Sequence, residues 1–463
     1  MDTSTRVRIW KIGAPYKGKR KTTYKVRWTV AGKPFSEPCS TKALADAFRS
    51  KLLSATTDGV PFDTGTGLPV TMLRKESAPK SWYDFACSYV DRMWPESSPG
   101  HRRTIADALI PITVAMLSTD RGRPNAKVLR AALRTAFNTR HRDDKHAPDI
   151  ADALTWAARN TRPVSDLTRP DFLRGFLNAV ETKLDGKRVA QDTARLRRTT
   201  LGSALEYAIE QGVLSENPLK SVKTKKRKTV TNEVDRRSVA NPVQARTLLL
   251  AVNGIQRSGP SLVAFFALMY FAALRPEEAA NLRKHNLSLP ERGWGELHLE
   301  SAAPEVSGRW TDSGQAREER ALKHREEGTG RVVPCSPELT SILHNHLTVF
   351  GTTADGRLFR AERGGRVGSS TYGRVWALAR QAVLTPEVAA SPLARRPYDL
   401  RHACVSTWLN AGVEATRVAE WAGHSVAVLL RVYAKCLDGG EQSARQRVQA
   451  ALGGAPNLDA PWT

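Results

Sequence analysis

The hydrophobic positions of the chain follow three patterns in turn, and the first is typical of strands. In residues 1–63, Val7–Trp10 and Thr23–Val30 alternate with period two, and a third short strand is predicted to begin at Phe35. A helix-like run over residues 41–53 follows. We therefore predict a small three-stranded sheet with one helix packed on it.

The second pattern, from residue 80 to about residue 218, has a helical period. A long helix is predicted from Asp192, a good N-cap residue, to about Val213. Three aromatic residues and a methionine recur at helical spacing at the start of the stretch, namely Trp82, Phe85, Tyr89 and Met93. We predict a domain of four to five helices in which these aromatic residues form part of the core.

The third pattern begins near residue 238 and mixes helices with short strands. The run Ser261–Leu274 is apolar on all sides, which predicts a buried helix. Short strands are predicted around residues 296–299, 319–323 and 331–334. The predicted fold class is therefore a multidomain protein, mainly α with small β-sheets, whose last domain is mixed α/β but mostly α. The predicted domains are residues 1–63, 78–219 and 239–452, with a basic linker at 220–238 and a mobile tail at 453–463.

The charge balance points to a polyanionic partner. The chain has 71 Lys and Arg residues against 46 Asp and Glu residues, a net charge of +25. Neutralising phosphates releases condensed counterions, so double-stranded DNA is the expected partner. An anionic membrane is the alternative, but no apolar run reaches the roughly 18 residues of a membrane span. Five scattered cysteines without a Cys-x-x-Cys pair predict reduced thiols in a cytoplasmic protein.

Two basic clusters are predicted to contact DNA. The first lies on the N-terminal strands and their turn and comprises Lys17, Lys19, Arg20, Lys21, Lys25 and Arg27. The alternative for this small sheet is a dimerisation or protein-binding module. The second cluster lies in the linker and comprises Lys225, Lys226, Arg227 and Lys228. It could form a strap across a duplex, whereas the alternatives are a solvated loop or a localisation signal.

Phosphoryl transfer from DNA to a side chain needs a nucleophile, cations for the non-bridging oxygens, an acid and an orienting donor. The last domain offers candidates in order along the chain. Arg275 follows the buried apolar helix and precedes Glu278, which could instead be its internal ion-pair partner. Tyr398 and Arg401 are three residues apart at the start of a helix that Asp399 is predicted to cap. His402 is expected to pack or to orient a neighbour. His424 follows Gly423 at a predicted helix–helix corner, and Tyr433 comes nine residues later.

These motifs, in this order, resemble those of the tyrosine recombinases, the phage-type integrases. The matching segments are Leu274-Arg275-Pro276-Glu277-Glu278, Lys323, Tyr398-Asp399-Leu400-Arg401, Ala422-Gly423-His424 and Tyr433. The resemblance covers residues 240–440, and over residues 1–220 it rests only on architecture. Tyr398 departs from the family pattern, which has His more often at this position. Lys323 is chosen over other cations, namely Lys284, Arg320 and Arg325, because the order strand–turn–strand would place it on a hairpin.

The resemblance implies a site-specific DNA recombinase that integrates and excises a mobile element. Tyr433 would form a 3′-phosphotyrosyl bond, Arg275 and Arg401 would bind the phosphate, and Lys323 would protonate the leaving oxygen. His424 and Tyr398 would assist, and Glu278 would orient Arg275. Neither a cofactor nor a metal is expected, and His344 and His346 are predicted to be surface residues of a helix.

The resemblance also implies attachment core sites and arm sites as DNA partners, and a homotetramer on DNA. A host bending protein and an excision factor are further expected partners, in the bacterial cytoplasm at the nucleoid. A topoisomerase IB-like nicking–closing enzyme and a non-catalytic, sequence-specific DNA-binding protein are the alternatives. The latter would be expected to lack at least one of Arg275, Arg401 and Tyr433, and all three are present.

Overall fold

The computed structural model describes residues 2–17, 22–73, 80–183, 185–222, 233–322, 329–436 and 440–452. The chain divides into two compact units, Met1–Thr224 and Lys225–Thr463. The fold is mainly helical with small antiparallel sheets, so the predicted fold class is confirmed.

The first unit begins with a small sheet and continues as helices. Its strands are β1 (Thr3–Ser4), β2 (Val7–Ile9), β3 (Tyr16–Lys17), β4 (Thr22–Val30), β5 (Lys33–Cys39) and β6 (Phe62–Asp63). Its α-helices in the described residues are α1 (Lys42–Thr57), α2 (Val70–Leu73), α3 (Trp82–Met93), α4 (Pro99–Ala115), α5 (Ala126–Ala136), α6 (Pro148–Arg159), α7 (Pro170–Val180) and α8 (Gln191–Glu210).

Strand β4 organises the N-terminal sheet. It pairs antiparallel with β2, β3 and β5, and the predicted sheet therefore has one more short strand than expected. Val26, Trp28 and Val30 alternate onto the buried face of β4 and pack with Leu52 of α1 in a core of their own. The predicted period-two pattern and the helix that follows it are both confirmed.

Strand β5 carries two prolines on its ladder with β4. Pro34 lies opposite Thr29 and Pro38 lies opposite Lys25. Proline has no backbone N–H, so these two residues can belong to this strand only where the missing donor would point away from β4. Since β4 is the one strand paired with β5 in the described residues, β5 forms an edge of the sheet.

The helical part of the first unit contains the six helices α3–α8 in the described residues, so the predicted number of four to five was too low. The aromatic core is confirmed: Trp82, Phe85 and Tyr89 are buried. Helix α8 begins at Gln191 after Ala190, which places Asp192 in the first turn rather than at the predicted cap.

The second unit surrounds the buried helix that the sequence predicted. Its helices are α9 (Pro242–Asn253), α10 (Gly259–Phe271), α11 (Pro276–Ala279), α12 (Pro337–Phe350), α13 (Ser369–Val383), α14 (Pro386–Ala390), α15 (Asp399–Asn410), α16 (Ala415–Ala422), α17 (Val426–Tyr433) and α18 (Gly440–Ala451). Its strands are β7 (Leu287–Ser288), β8 (Gly295–Leu299), β9 (Ser301–Ala302), β10 (Arg320–Ala321) and β11 (Arg331–Cys335).

Helix α10 packs against α9, α12 and α15, and its Phe266 also contacts Trp376 of α13. Its sequence is apolar on every side because neighbours surround it. The order β7–β8–β11 forms a three-stranded antiparallel sheet, and β9 pairs with β10. Helix α15 begins at Asp399, with Tyr398 in the preceding position, so the prediction that Asp399 caps this helix was wrong. Asp399 is instead buried in the first turn and binds Arg396.

Candidate active site

The corner between α10 and α11 holds Arg275 in place. The backbone N–H of Arg275 donates to Oε2 of Glu278 at 2.8 Å, and its Nη1 donates to Oε1 at 2.8 Å. Its Nη2 donates to the carbonyl oxygen of Gly423 at 2.8 Å. The ion pair with Glu278, left open by the sequence, is therefore present, and it directs the rest of the guanidinium towards the corner that carries His424.

A third arginine, which the sequence interpretation missed, shares the same carboxylate. Arg331 at the start of β11 donates Nη1 and Nη2 to Oε1 and Oε2 of Glu278 at 2.9 and 2.8 Å. Its Nε donates to the carbonyl oxygen of Trp421 at 2.9 Å. Arg331 thus uses its planar fork to join β11, α11 and the end of α16.

The electrostatics of this cluster explain the ionisation of Glu278. Burial acts to raise the pKa of its carboxyl group, but Arg331 and then Arg275 outweigh burial and lower the pKa to about 2. Burial likewise acts to lower the pKa of Arg275, yet Glu278 raises it above its ordinary value. The carboxylate of Glu278 is therefore charged and Arg275 stays protonated.

Arg401 of α15 is completely buried and is held by backbone carbonyl groups. Its Nη1 donates to the oxygen of Ala273 and its Nη2 to the oxygen of Ala422. Its Nη2 also lies 2.8 Å from Nε2 of His424. Burial, followed by repulsion from Arg275, lowers the pKa of Arg401, which is the expected response of a cation that lacks a carboxylate of its own.

His424 lies at the helix–helix corner that the sequence predicted. Gly423 ends α16 in the left-handed conformation at φ 64°, and Ser425 caps α17 by accepting from the N–H of Val428. Burial first, then the charges of Arg401 and Arg275, lower the pKa of His424 to about 3, so its imidazole is neutral.

Two N–H-bearing atoms of the site are sealed from solvent without a hydrogen-bond partner in the described part of the chain. They are Nε of Arg401 and Nδ1 of His424. Buried donors of this kind are costly unless an acceptor reaches them. Together, Arg275, Arg331 and Arg401 carry three positive charges against the single carboxylate of Glu278, which pairs with Arg275 and Arg331, so two positive charges are in excess in a buried cluster. The cluster is therefore suited to an anion.

Tyr433 ends α17 and is fully buried, with its hydroxyl group beside His402. The Oη atom lies 2.8 Å from Nδ1 of His402, and the Tyr433 ring lies 6.3 Å from that of His424. Burial raises the pKa of the Tyr433 hydroxyl, so the phenol is protonated. The contact between His402 and Tyr433 had no counterpart in the sequence, where His402 was expected only to pack or orient.

The position of α17 also depends on the end of the predicted linker. The backbone N–H of Val234 donates to the oxygen of Val432 at 2.9 Å, and the Val234 side chain is buried with Tyr433 in one hydrophobic cluster. The Sγ of Cys436 donates to the oxygen of Val234 at 3.8 Å. Sequence interpretation missed this anchor, because a single Val in a polar segment carries little signal.

Tyr398 stands beside the site rather than in its hydrogen-bond network. Its ring meets the ring of His402 edge to face at 5.1 Å. Lys323 lies outside the described residues, between β10 and β11. The structure therefore brings together Arg275, Glu278, Arg401, His402, His424 and Tyr433, with Tyr398 next to them.

Some of the predicted DNA-contacting residues lie outside the described residues, and others lie on the N-terminal strands. Lys19, Arg20, Lys21, Lys225, Lys226, Arg227 and Lys228 lie outside the described residues, and Lys17 ends β3. Lys25 and Arg27 are exposed on β4, on the face opposite Val26 and Trp28. Arg8 of β2 lies opposite Thr29, whose place in the alternation puts it on this same face.

No group of three or more His, Cys, Asp or Glu side chains in the described ranges is arranged to hold a metal ion. His346 is buried, and its Nε2 lies 2.9 Å from the oxygen of Leu358, so the prediction of a surface residue was wrong for it. His344 is half-buried at the surface of the helix, and its Nε2 lies 2.8 Å from the oxygen of Pro290. Among the helices of the described chain, none has the length and apolar character that a membrane crossing requires.

Comparison with known proteins gives matches among solved structures. The chain is similar to integrases and site-specific recombinases. One is the Tn1549 transposon integrase in complex with transposon right end DNA, at 16% identity and a TM-score of 0.47, covering 70% of this chain and 99% of that one. XerH site-specific recombinase bound to difH substrate has 12% identity and a TM-score of 0.41, covering 76% and 96%. A lambda integrase dimer bound to a core site has 13% identity and a TM-score of 0.40, covering 74% and 95%. No protein-family model and no curated protein matches the chain.

Proposed function

We propose that the chain is a tyrosine recombinase, a site-specific enzyme that cuts and rejoins DNA strands through a phosphotyrosyl bond to Tyr433. The observation that carries the proposal is a buried cluster with excess positive charge, built around Arg275, Arg331 and Arg401, next to a buried tyrosine hydroxyl. A scissile phosphodiester supplies a negative charge, which offsets part of this excess, and the oxygen acceptors that the cluster lacks.

The chemistry follows from the positions of the donors. Oη of Tyr433 attacks the phosphorus while Arg275 and Arg401 stabilise the non-bridging oxygens, on which negative charge builds up. The sealed N–H groups of Arg401 and His424 gain acceptors when a phosphate enters. The bond to the 5′ oxygen breaks, and its energy is conserved in the phosphotyrosine, so the rejoining step needs no ATP.

Lys323 is proposed as the acid that protonates the departing 5′ oxygen. Its support is its place in the chain: it follows Leu322, a buried core residue, and precedes β11, whose first residue Arg331 binds Glu278. Both of these flanking residues, Leu322 and Arg331, are buried in the catalytic unit. Tyr398 would add a neutral hydrogen bond to the phosphate.

The exposed face of the N-terminal sheet is proposed to bind accessory arm DNA. Arg8, Lys25 and Arg27 occupy this face, and Tyr16, whose side chain is 73% exposed, pairs with Thr23 at its end. The acidic residue of β5, Glu37, lies opposite Val26 and so belongs to the other face. Within the described strands this basic face carries no carboxylate, and such a face can lie against a phosphate backbone.

The helical domain and the basic linker are each proposed to contact the core site. Lys225, Lys226, Arg227 and Lys228 would neutralise phosphates along the duplex. Two duplexes cut in a coordinated way require several protomers, so the proposal includes a homotetramer on DNA. A host bending protein and an excision factor are further proposed partners. The protein would act on a mobile element, of a phage or another type, at the bacterial nucleoid in the cytoplasm.

A nicked suicide substrate tests the proposal. DNA fragments that span the junctions of the genetic element encoding the chain are nicked near the candidate cleavage site, so that a short strand diffuses away after cleavage. The wild type should form a protein–DNA product that survives denaturation, Tyr433→Phe should bind without forming it, and Tyr372→Phe should behave as the wild type. A covalent product in Tyr433→Phe would contradict the role of Tyr433.

The same experiment separates the alternative functions. Binding without a covalent product in the wild type would favour a non-catalytic DNA-binding protein. Relaxation of a supercoiled plasmid that carries no such junction would favour a topoisomerase-like nicking–closing enzyme.

A further inference from the structure

The hydroxyl of Tyr433 has one imidazole nitrogen within hydrogen-bond distance among the described residues, Nδ1 of His402 at 2.8 Å. Helix α15 presents Arg401 and His402 as consecutive residues on different sides, so that one reaches the carbonyls of Ala273 and Ala422 while the other reaches α17. The ring centroids of His402 and Tyr433 lie 5.6 Å apart and the ring planes are tilted by 59°, so the rings do not stack face to face. The close contact between the two side chains is the one between Nδ1 and the hydroxyl oxygen.

The other groups near the nucleophile are poorly suited to accept its proton. Nε2 of His424 already accepts from Arg401, which can only donate. Tyr398 is a phenol like the nucleophile itself, so proton transfer to its neutral oxygen would create a strongly acidic oxonium ion. His402 is different, because a neutral imidazole has one acceptor nitrogen, and in the tautomer with hydrogen on Nε2 that acceptor is Nδ1, the nitrogen that faces the hydroxyl.

We propose that His402 is a catalytic residue, the general base that removes the proton from Tyr433 during strand cleavage. The inference rests on the proposed function. In the forward step the O–H bond of Tyr433 breaks and its proton moves to Nδ1 of His402. Oη then forms its bond to phosphorus as the bond from phosphorus to the 5′ oxygen breaks, and that oxygen takes a proton from the general acid. In rejoining, the imidazolium returns its proton to the departing tyrosine oxygen.

Burial and the nearby arginines keep His402 neutral before the phosphate arrives. Burial is the largest cause and lowers the pKa of His402; Asp399 acts to raise the pKa, and Arg401 and Arg396 lower it further, to about 4. A neutral ring is the form that can accept a proton, and the negative charge of a bound phosphodiester would favour the imidazolium as it forms. The titratable and charged groups that face the ring from the elements around it are Arg396, Tyr398, Asp399, Arg401, His424 and Tyr433.

The test compares His402→Asn with the wild type in single-turnover cleavage of the nicked substrate. The amide oxygen of Asn can occupy the place of Nδ1 and accept the hydrogen bond, but it cannot take up the proton. We expect cleavage to slow by about 10²-fold or more, the usual contribution of a general base, with DNA binding and the melting temperature unchanged. Cleavage by His402→Asn at the wild-type rate would overturn the proposal.

A second arm separates proton removal from positioning. Replacement of Tyr433 by a fluorinated tyrosine, whose hydroxyl is more acidic, should restore at least about 10-fold of the rate lost in His402→Asn, since less help is needed to remove the proton. A substrate with sulfur in place of the bridging 5′ oxygen should not restore it, because that change relieves only the general acid. Rescue by the sulfur substrate and not by fluorotyrosine would overturn the assignment. Failure of the wild type to form any covalent product would instead contradict the proposed function itself.

Discussion

Nη2 of Arg401 lies 2.8 Å from Nε2 of His424, and this contact determines which nitrogen of the imidazole carries hydrogen. A guanidinium group has only donors, so Nε2 must accept and Nδ1 must bear the hydrogen of the neutral ring. Nδ1 is sealed and has no partner within the described ranges. His424 therefore contributes a neutral donor to the site, and Arg401 selects the tautomer.

Removal of this donor should slow cleavage. We expect His424→Ala to reduce the single-turnover rate on the nicked substrate about 10²- to 10³-fold, the usual effect of losing one preorganised donor to a developing negative charge. His424→Asn, whose amide nitrogen can replace Nδ1, should recover part of the loss. Rates for both variants equal to that of the wild type would show that the imidazole contributes no donor.

The shared carboxylate of Glu278 makes Arg331 important for stability. Arg331→Met should lower the free energy of unfolding of the catalytic unit by about 3–5 kcal/mol, because a buried carboxylate loses its bidentate partner. Arg246→Met is the matched control: Arg246 binds Glu338 through two nitrogens, but both side chains are exposed, so the loss should stay below about 1 kcal/mol. Urea unfolding of both variants measures the difference, and equal losses would contradict the importance of burial.

The low pKa of Glu278 predicts a dependence of stability on acid. Its pKa is about 2 in the folded chain, below its ordinary value of 4.5, so its contribution is complete above pH 4.5 and is lost as the pH falls towards 2. The free energy of unfolding should fall in this window by on the order of 3 kcal/mol more in the wild type than in Glu278→Gln. Asp355, whose pKa is also lowered to about 2, is present in both proteins and cancels in the comparison. Parallel stability curves for the two proteins from pH 5 to pH 2.5 would refute this prediction.

The proposed arm-binding face can be tested by charge removal. Lys25→Ala and Arg27→Ala should each weaken binding to arm DNA and lower the slope of log affinity against log salt concentration by about 1, if each side chain contacts one phosphate. Lys51→Ala on α1 removes the same charge from the helix, which packs on the other face of the sheet, and should leave the slope unchanged. The slopes come from fluorescence anisotropy at several salt concentrations, and a similar change in all three variants would indicate a general charge effect.

The sequence predicted the elements well because their hydrophobic periods are local. It also predicted the corner at His424, since Gly423 and Ser425 are helix-end residues with a direct physical role. Arg331 was missed, although a signal existed: the alternation of β11 puts Arg331 on the same buried face as Val333 and Cys335. A charged residue at such a position must have a buried partner.

The contact between His402 and Tyr433 could not be predicted in the same way. The two residues are 31 positions apart, and their distance depends on how α15 and α17 pack, which no local period describes. The motif pattern placed Tyr398 in the role of a site residue, whereas the structure puts the ring of His402 between Tyr398 and Tyr433. The side chain that meets the nucleophile therefore lies outside the motif positions, and only the tertiary structure shows it.

The two prolines of β5 have a consequence for how copies of the protein behave when they crowd together. Pro34 and Pro38 remove two outward-pointing N–H groups from the free edge of the sheet, so that a further strand would find few donors there. Neighbouring copies of the chain can therefore approach edge to edge without fusing their sheets into an aggregate. This edge resists polymerisation, and the broad basic face beside it remains open.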